Sequence, residues 1–313
     1  MNWTGRVVGC RAALLTMFAA CVVNSAVSAA DSDQTPVSVS NAVSIPFDFV
    51  SDRVMVRTRV NGSEPVSLML DTGYSINMLS PSLMESLALK RAGRVTIVGI
   101  AGEEPTEMFE GASFDLGGAK YSPRRVAALP ASYQRRWRKR DGILGAGFFR
   151  RFVVAIDPKA RTITLHAPDA FRYSGEGEII PFKFKETVPV VEGVILLPGH
   201  DPIQGRFEID TGCDGGLCLG SEFVRDNHLL EGSGGTKGAG RTGVGGDAGT
   251  RVGRVPQFRL GRLVVEKPLT NFFLDGSPVD AGYAGHIGME VFRRFKVIFD
   301  YSRQRIILER EGG

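Results

Sequence analysis

Two hexapeptides of this 313-residue chain share one pattern, from which its architecture can be predicted: Leu68-Met69-Leu70-Asp71-Thr72-Gly73 and Phe207-Glu208-Ile209-Asp210-Thr211-Gly212. In each, a short run with apolar ends leads into an Asp-Thr-Gly triplet, which predicts a strand that ends at a turn permitted by glycine. A given tripeptide should occur by chance in roughly one of twenty chains of this length at average residue frequencies. The second copy is therefore significant only if its surroundings repeat as well.

The surroundings do repeat, in the same order along the chain. The repeated pairs are Ile45-Pro46-Phe47-Asp48-Phe49 with Ile180-Pro181-Phe182-Lys183-Phe184, Gly99-Ile100-Ala101-Gly102 with Gly243-Val244-Gly245-Gly246, and Ile143-Leu144-Gly145 with His286-Ile287-Gly288. The triplets themselves are 139 residues apart. A period near 140 is too long for a solenoid repeat and indicates the duplication of a whole small lobe. We therefore predict an N-terminal lobe over residues 30–170 and a C-terminal lobe over residues 171–313, with a linker at 168–177.

Composition and local patterns favour a mostly β globular protein. The chain is 43% hydrophobic and only 23% charged, enough to bury two cores. Residues 54–60 alternate as a half-buried strand, and Asn61-Gly62 predicts a hairpin that returns toward Asp71. Short helices are expected from Ser80-Pro81 through Leu89, and from a cap at Ser221 through Leu230.

The first 29 residues read as a secretory signal peptide. Arg6 and Arg11 precede the apolar stretch 12–23, and small residues at 27–30 supply a cleavage point. We expect an exported protein, periplasmic or secreted, without an integral membrane span after cleavage. Lipidation at Cys21 and an uncleaved signal anchor are the less favoured alternatives. Loss of the two signal arginines lowers the net charge from +4 to +2, which indicates no particular partner.

The doubled pattern resembles the aspartic proteases. An apolar run, Asp-Thr-Gly, a glycine-containing hairpin and then apolar-apolar-Gly is the order found in each lobe of that family, here with His286 in place of the first apolar residue in the second half. The resemblance covers about residues 43–313 and is to a single-chain, bilobal enzyme of the retropepsin-like or pepsin-like kind. It implies two pseudo-symmetric β-barrel lobes with short helices and a cleft between them.

The resemblance also implies residue roles. Asp71 and Asp210 would share the water that attacks a peptide carbonyl, one acid protonated and the other ionised because two adjoining carboxylates cannot easily both carry charge. Beneath them, the hydroxyls of Thr72 and Thr211 would bond across the lobes. Four glycines would give the turns and neighbouring loops room, and four more would bend hairpins over the substrate; these are Gly73, Gly212, Gly145 and Gly288, and then Gly99, Gly102, Gly243 and Gly246. No metal or cofactor is implied, and because both acids lie in one chain a homodimer is not required.

The chain departs from the family pattern after each triplet. Tyr74 and Cys213 stand where many relatives have a small residue, and Asp214 adds a charge near the site. Loss of a hydroxyl donor to a carboxylate should disfavour its ionised form, so we expect a pH optimum less acid than that of stomach-type enzymes. A disulfide between Cys213 and Cys218 would need a bend at Gly215-Gly216.

Other motifs have simpler interpretations. Residues 238–243 spell a dinucleotide fingerprint but do not follow a strand or open an amphipathic helix, so we expect neither nucleotide nor nucleic-acid binding. The basic run 135–140 is typical of a solvated loop, with attraction of acidic substrate segments or a membrane surface as the alternative. The four histidines, His166, His200, His228 and His286, show no ligand spacing and are interpreted as structural.

Three functions are consistent with these residues. The favoured one is an exported aspartic endopeptidase that takes an extended peptide into the cleft between the lobes. The second is a catalytically weak or inactive peptide-binding protein on the same fold. The third, a glycosidase that uses two carboxylates, has only the two acids in its favour.

Overall fold

Short strands dominate the structure, as the alternating apolar pattern predicts. The computed structural model describes residues 42–99, 102–136, 140–232, 237–243, 246–274, 279 and 282–310. The predicted signal peptide lies outside these residues, as do the tips of two hairpins and part of the basic run. The prediction of a mostly β fold is confirmed.

The first half of the chain contains twelve strands and three helices among its described residues. The strands are β1 (Val43–Val50), β2 (Arg53–Val60), β3 (Val66–Leu70), β4 (Met78–Leu79), β5 (Lys90–Gly99), β6 (Gly102–Glu110), β7 (Phe114–Leu116), β8 (Ala119–Tyr121), β9 (Val126–Ala128), β10 (Gly142–Leu144), β11 (Val153–Asp157) and β12 (Thr162–His166). The helices are α1 (Pro81–Ser86), α2 (Ala131–Arg136) and α3 (Ala146–Arg151).

The second half contains thirteen described strands, three helices and one 3-10 turn. The strands are β13 (Glu178–Pro181), β14 (Lys183–Lys185), β15 (Val188–Leu196), β16 (Ile203–Ile209), β17 (Leu217–Leu219), β18 (Lys237–Gly243), β19 (Gly246–Arg254), β20 (Gln257–Leu260), β21 (Leu263–Glu266), β22 (Leu269–Phe273), β23 (Gly285–Ile287), β24 (Phe295–Asp300) and β25 (Arg305–Arg310). The helices are α4 (Ser221–Asp226), α5 (Leu229–Gly232) and α6 (Met289–Phe292), and the 3-10 turn is Tyr301–Arg303.

The strand order of the first half recurs in the second. The path β3-β10-β4-β9-β6-β5 corresponds, strand for strand, to β16-β23-β17-β22-β19-β18. The directions correspond too: β10 runs parallel to β3 and antiparallel to β4, and β23 runs parallel to β16 and antiparallel to β17. Each triplet therefore follows a strand that is paired in parallel with the strand of the later apolar-apolar-Gly or His-Ile-Gly motif.

Strands from both halves also share one antiparallel run, β13-β25-β24-β11-β12-β1. Its centre is the pairing of β11 with β24, where Ala155 faces Ile298. Over the described strands the two sheets, of 15 and 10 strands, follow open paths and close no barrel. The division into lobes at residues 170 and 171 stays a prediction, and the expected linker 168–177 contains no helix or strand.

The expected hairpin and helices form, but the helices are shorter than predicted. Asn61 and Gly62 turn the chain between β2 and β3 with positive φ angles of 50° and 75°. The Ser80 hydroxyl caps α1 by accepting the Leu83 N–H, yet the helix ends at Ser86 because Ala88 has a φ of 49° and β5 follows. The second expected helix divides into α4 and α5 at His228, whose φ is 51°, and Gly220 rather than Ser221 is its N-cap.

Candidate active site

Asp71 and Asp210 lie at the ends of equivalent strands and meet. The Asp71 N–H donates to the Leu144 carbonyl at 3.0 Å, and the Asp210 N–H donates to the Ile287 carbonyl at 3.0 Å. Each acid also accepts the N–H two residues on, from Gly73 and Gly212 respectively, at 2.9 Å. The two carboxyl groups converge, since Asp210 Oδ1 and Asp71 Oδ1 lie 2.8 Å and 3.2 Å from the point that a Cβ on Gly73 would occupy.

The triplet glycines make this approach possible. A Cβ on Gly73 would lie 2.8 Å from Asp210 Oδ1, and a Cβ on Gly212 would collide with Asp71 Oδ2. Any side chain at either position would therefore push the carboxyl groups apart. The space beside each acid, rather than a special backbone conformation, explains these two glycines.

The two threonines bond across the halves beneath the carboxyl groups. Thr72 Oγ1 donates to the Ile209 carbonyl at 2.7 Å and accepts the Thr211 N–H at 3.0 Å. Thr211 Oγ1 donates to the Leu70 carbonyl and accepts the Thr72 N–H, both at 3.0 Å. Both threonines are fully buried, so these four hydrogen bonds tie together the strand ends that carry the acids.

Gly145 and Gly288 precede α3 and α6 and pack against the loops after the triplets. A Cβ on Gly145 would lie 2.6 Å from the Tyr74 carbonyl oxygen, and one on Gly288 would lie 2.7 Å from the Cys213 carbonyl oxygen. Neither glycine has a positive φ, so close approach is again the reason for glycine. These contacts hold the two loops in place from below.

The four predicted hairpin glycines lie in equivalent places. Gly99 pairs with Gly102 at the end of the β5–β6 hairpin, and Gly243 pairs with Gly246 at the end of the β18–β19 hairpin. Ile97, on β5, packs in the same apolar cluster as Tyr74, the residue that follows the first triplet. The β5–β6 hairpin is thereby connected to the first triplet loop, and contact with substrate stays a prediction.

His286, which the sequence analysis interprets as structural, lies in contact with the second acid. Its Nδ1 lies 3.0 Å from Asp210 Oδ2, and its Nε2 lies 3.2 Å from Glu208 Oε2. Lys185 Nζ continues the chain at 2.7 Å from Glu208 Oε1. The imidazole and both carboxylates are buried or nearly so, with exposed side-chain fractions of 8–16%. Opposite charges therefore alternate from Lys185 to Asp210.

The first half has apolar residues at the corresponding positions. In the parallel register Glu208 pairs with His286, whereas in the first half Met69 pairs with Ile143. The two next strands continue the contrast: Cys218 and Asn271 in the second half correspond to Met78 and Ala127 in the first. We call Glu208, His286, Cys218 and Asn271 the polar stripe. The four first-half residues belong to one apolar cluster.

The signal for this network was present in the sequence. Glu208 interrupts the apolar run before the second triplet, and His286 replaces an apolar residue of the repeated motif. Each is a single polar residue in an apolar pattern, and alone has no meaning. Only the parallel pairing of β16 with β23 places the two side by side.

The surroundings shift the pKa values of the two acids in opposite directions. Burial, and then the negative charge of Asp210, raise the pKa of Asp71 well above its usual value. Burial would also raise the pKa of Asp210, but the hydrogen bond and charge of His286 lower it below its usual value. Asp71 is therefore the protonated member of the pair and Asp210 the ionised one. As a coupled pair they titrate together, with this order of proton affinity.

The charge on His286 is maintained by its two acidic neighbours. Burial disfavours the imidazolium, but hydrogen bonds to Asp210 and Glu208 raise the pKa of His286 well above its usual value. Burial likewise opposes the charge on Glu208, and His286 and Lys185 together lower its pKa. The buried histidine is accordingly an imidazolium at neutral pH, with both ring nitrogens donating.

Arginines surround the site on the side of the first half. Arg53 Nε donates to the Gly212 carbonyl at 2.6 Å, and Arg53 Nη1 lies 3.1 Å from Asp214 Oδ2. The added charge of Asp214 is thus balanced by an arginine. Burial, followed by the charge of Arg53, lowers the pKa of Arg140 to about 10. Of the basic run that ends at Arg140, residues 137–139 lie outside the described part of the chain.

The two cysteines lie together as free thiols. Cys213 Sγ is 2.7 Å from Cys218 Sγ, because the chain bends through Gly215 and Gly216 as the disulfide prediction required. The sulfur of Cys218 also accepts the Asn271 side-chain amide at 3.6 Å. The pair is thus positioned beside the loop that carries Asp210.

The described ranges contain no cluster of three or more His, Cys, Asp or Glu side chains that could hold a metal ion. No helix in the same ranges is long and apolar enough to cross a bilayer. Residues 238–243 form strand β18 of a hairpin, which is not the strand-to-helix turn of a dinucleotide site.

Comparison with known proteins agrees with this geometry. Residues 56–148 match a family model described as aspartyl protease. The matched segment includes Asp71-Thr72-Gly73 and Ile143-Leu144-Gly145, and it ends before the second half begins. No curated protein matches the chain. The match supports the resemblance to the aspartyl protease family over this segment of the first half.

Proposed function

We propose that the chain is an exported aspartic endopeptidase in which Asp71 and Asp210 of a single molecule hydrolyse peptide bonds. The observation that carries the proposal is the convergence of two acids from equivalent strand ends, with Asp210 Oδ1 and Asp71 Oδ1 within 3.2 Å of the point that a Cβ on Gly73 would occupy. Their surroundings shift the two pKa values in opposite directions. A neutral acid beside an ionised one is the state that general acid–base catalysis of hydrolysis requires. Because both acids belong to one chain, no second copy is needed.

The reaction follows from this starting state. Asp210 takes a proton from the bound water as the water oxygen attacks the peptide carbonyl carbon, and Asp71 gives its proton to the carbonyl oxygen. The resulting tetrahedral diol is neutral. When it collapses, one hydroxyl proton returns to Asp71 while Asp210 delivers its proton to the departing amine nitrogen. The pair ends in its original protonation state, with no covalent intermediate on the enzyme.

Separate Asp71→Asn and Asp210→Asn variants test the proposal. The mature chain is incubated with a diverse peptide mixture across pH, with and without a transition-state-mimicking inhibitor, and products are identified by mass spectrometry. We expect internal cleavage by the unaltered protein, blocked by the inhibitor and abolished in both variants while peptide binding survives. Binding without cleavage in the unaltered protein at every pH would contradict the proposal and favour an inactive peptide-binding protein on the same fold.

Export is tested separately. In a host with the matching secretion pathway, the full chain should be recovered outside the cytoplasm, shortened by the predicted signal of 29 residues. Retention of the complete chain in the cytoplasm would contradict export, and an uncut chain in the membrane fraction would indicate a signal anchor instead.

A further inference from the structure

The two halves of the site have the same strand order but differ in the side chains that lie on the strands next to each acid. Asp71 follows β3, whose neighbours at the level of Met69 are apolar across β10, β4 and β9. Asp210 follows β16, where the polar stripe occupies the same four positions. Since the strand order is the same, the side chains alone distinguish the two acids.

We propose that His286 is a positioning residue of the catalytic pair, which holds Asp210 as the ionised acid through its Nδ1–H and is itself held by Glu208 and Lys185. This proposal deepens the proposed function and rests on it. It makes Asp71 the acid that protonates the substrate carbonyl and Asp210 the base that accepts the proton of water. The assignment comes from the protein before any substrate binds.

The geometry limits His286 to this role. Asp210 Oδ1 is occupied by the Gly212 N–H at 2.9 Å, and Asp210 Oδ2 is met by His286 Nδ1 at 3.0 Å. The opposite ring nitrogen faces Glu208 at 3.2 Å, so the ring has a charged acceptor on each side. An imidazole held at both nitrogens has little freedom to rotate toward substrate. It therefore acts through Asp210 rather than on the reacting atoms.

Among the described residues, the titratable groups that act on the imidazole belong to this network or to the thiol pair. Asp210 and Glu208 lie on the β16 segment, and Lys185 on β14 pairs with Glu208. From β17, Cys218 pairs in register with His286, and Cys213 follows the triplet. Arg53, from β2, reaches the Gly212 carbonyl on the side of Asp71. With Asp71 neutral, the charges of Lys185, Glu208, His286 and Asp210 cancel, which makes burial of the network tolerable.

The proposal has a consequence for the pH range of activity. An opposite charge within about 4 to 6 Å lowers the pKa of an Asp by roughly 1 to 3 units. The imidazolium should therefore keep Asp210 ionised to lower pH and so extend the acid limb of kcat/KM downward. The sequence-based expectation of a less acid optimum rested on a lost hydrogen-bond donor, and at Asp210 that premise is wrong because His286 supplies the donor. A less acid optimum would then arise from the alkaline limb, which Asp71 sets.

Three variants separate the charge from the hydrogen bond. His286→Asn places a neutral amide donor near the position of Nδ1, and His286→Ile removes the donor and the charge together. In the double variant Glu208→Met/His286→Ile, the second half has the same two residues as the first half, Met69 and Ile143, so the Glu208 carboxylate is not left buried without its imidazolium partner. His228→Asn is the matched control: His228 is exposed, and its φ of 51° suits asparagine.

The pH profile of kcat/KM gives the first result. We expect the acid limb to move up by roughly 1 to 3 pH units in the double variant, by less in His286→Asn, and not at all in His228→Asn. The proposal would be overturned if His286→Asn and the double variant both had the same acid limb as the unaltered protein. A merely structural role for His286 would lower kcat at every pH without moving the limb.

NMR titration of the histidine rings gives a second result that does not depend on activity. The mature chain has four histidines, and the signal lost in His286→Asn identifies His286. We expect His286 to remain charged well above the ordinary pKa of about 6.5, and to titrate at lower pH in both Asp210→Asn and Glu208→Gln. A His286 that titrates near 6.5, or that is indifferent to Asp210→Asn, would overturn the proposal whatever the activity.

The two measurements also separate this proposal from the proposed function. If the unaltered protein cleaves no peptide while His286 titrates high and responds to Asp210→Asn, the pairing of His286 with Asp210 is supported and proteolysis is refuted. If the protein cleaves peptides but the acid limb ignores His286, proteolysis stands and the role of His286 is refuted.

Discussion

The hydroxyl of Thr72 is the clearest place to test how the two acids are held together. Thr72→Val keeps the shape of the side chain but removes the oxygen that pairs with the Ile209 carbonyl and the Thr211 N–H. Both backbone groups are buried and would have no partner left. Each such group costs about 1 to 3 kcal/mol, so the free energy of unfolding should fall by about 2 to 6 kcal/mol.

Urea denaturation of the mature chain measures this loss, with two controls in the same experiment. Thr72→Ser keeps the hydroxyl and loses one methyl group, which costs about 1 kcal/mol. Thr96→Val makes the same chemical change as Thr72→Val at an exposed position of β5 and should be nearly neutral. Because Thr211 makes the reciprocal pair of bonds, to the Leu70 carbonyl and the Thr72 N–H, Thr211→Val should cost as much as Thr72→Val.

A Thr72→Val variant as stable as Thr72→Ser would refute this reasoning. So would a large loss for one valine variant and none for the other, since the bonds are reciprocal. Activity should fall with stability in the valine variants, because the strand ends that carry the acids are no longer tied together.

Two further predictions concern charge and redox state. Asp71→Asn should raise the free energy of unfolding near pH 7, because buried Asp71 keeps its proton in the folded state above the unfolded-state pKa of about 3.9, and that protonation costs stability. Removing the acid removes this cost. The gain in stability should grow above about pH 4 by at most about 1.4 kcal/mol per pH unit, and it should vanish below about pH 4. Asp210→Asn should lower the free energy of unfolding at neutral pH, because the lowered pKa of Asp210 stabilises the folded state at pH values above its unfolded-state pKa. Urea denaturation across pH measures both effects. If both variants responded alike, the assignment of Asp71 as the protonated acid and Asp210 as the ionised one would be contradicted. Oxidised glutathione should join Cys213 to Cys218, seen as the loss of two hydrogens by mass spectrometry and absent in Cys213→Ser, with a gain of about 2 kcal/mol from the closed six-residue loop. Thiols that still react with iodoacetamide after this treatment would show that the pair does not close.

The duplicated order of landmarks predicted much of the fold because each landmark is a local pattern. Alternation at 54–60 and the Asn61-Gly62 turn require only neighbouring residues. The turn appears as predicted, and the alternation holds except at Met55, which is buried like Val54 and Val56. A run of such patterns in the same order in both halves then implies one strand order used twice. Helix ends were less predictable: α1 stops at Ser86 and the second helix breaks at His228, where single residues adopt a positive φ that no apolar pattern records.

The contacts of the site were harder to predict because they join residues far apart in sequence. Arg53 balances Asp214 across 161 positions, and His286 meets Glu208 across 78. From the sequence alone, each of these residues is predicted to be a surface charge or a structural histidine. Their meaning depends on the pairing of strands, which the sequence indicates only after the two halves have been compared position by position.

That comparison explains which of the two acids carries the proton. Two identical halves would present two identical acids, which would still share one proton because adjoining carboxylates cannot easily both ionise, but neither acid would be its preferred carrier. In the first half an apolar cluster stands behind Asp71, and burial favours the neutral acid. In the second half Glu208 and His286 replace two of those apolar residues, and the charge they bring favours the ionised acid. Since the backbone bonds of the two triplets are alike, the proposal attributes the difference between acid and base to these two substitutions beside Asp210. Copying Met69 and Ile143 into the second half should therefore make the two acids more nearly equivalent.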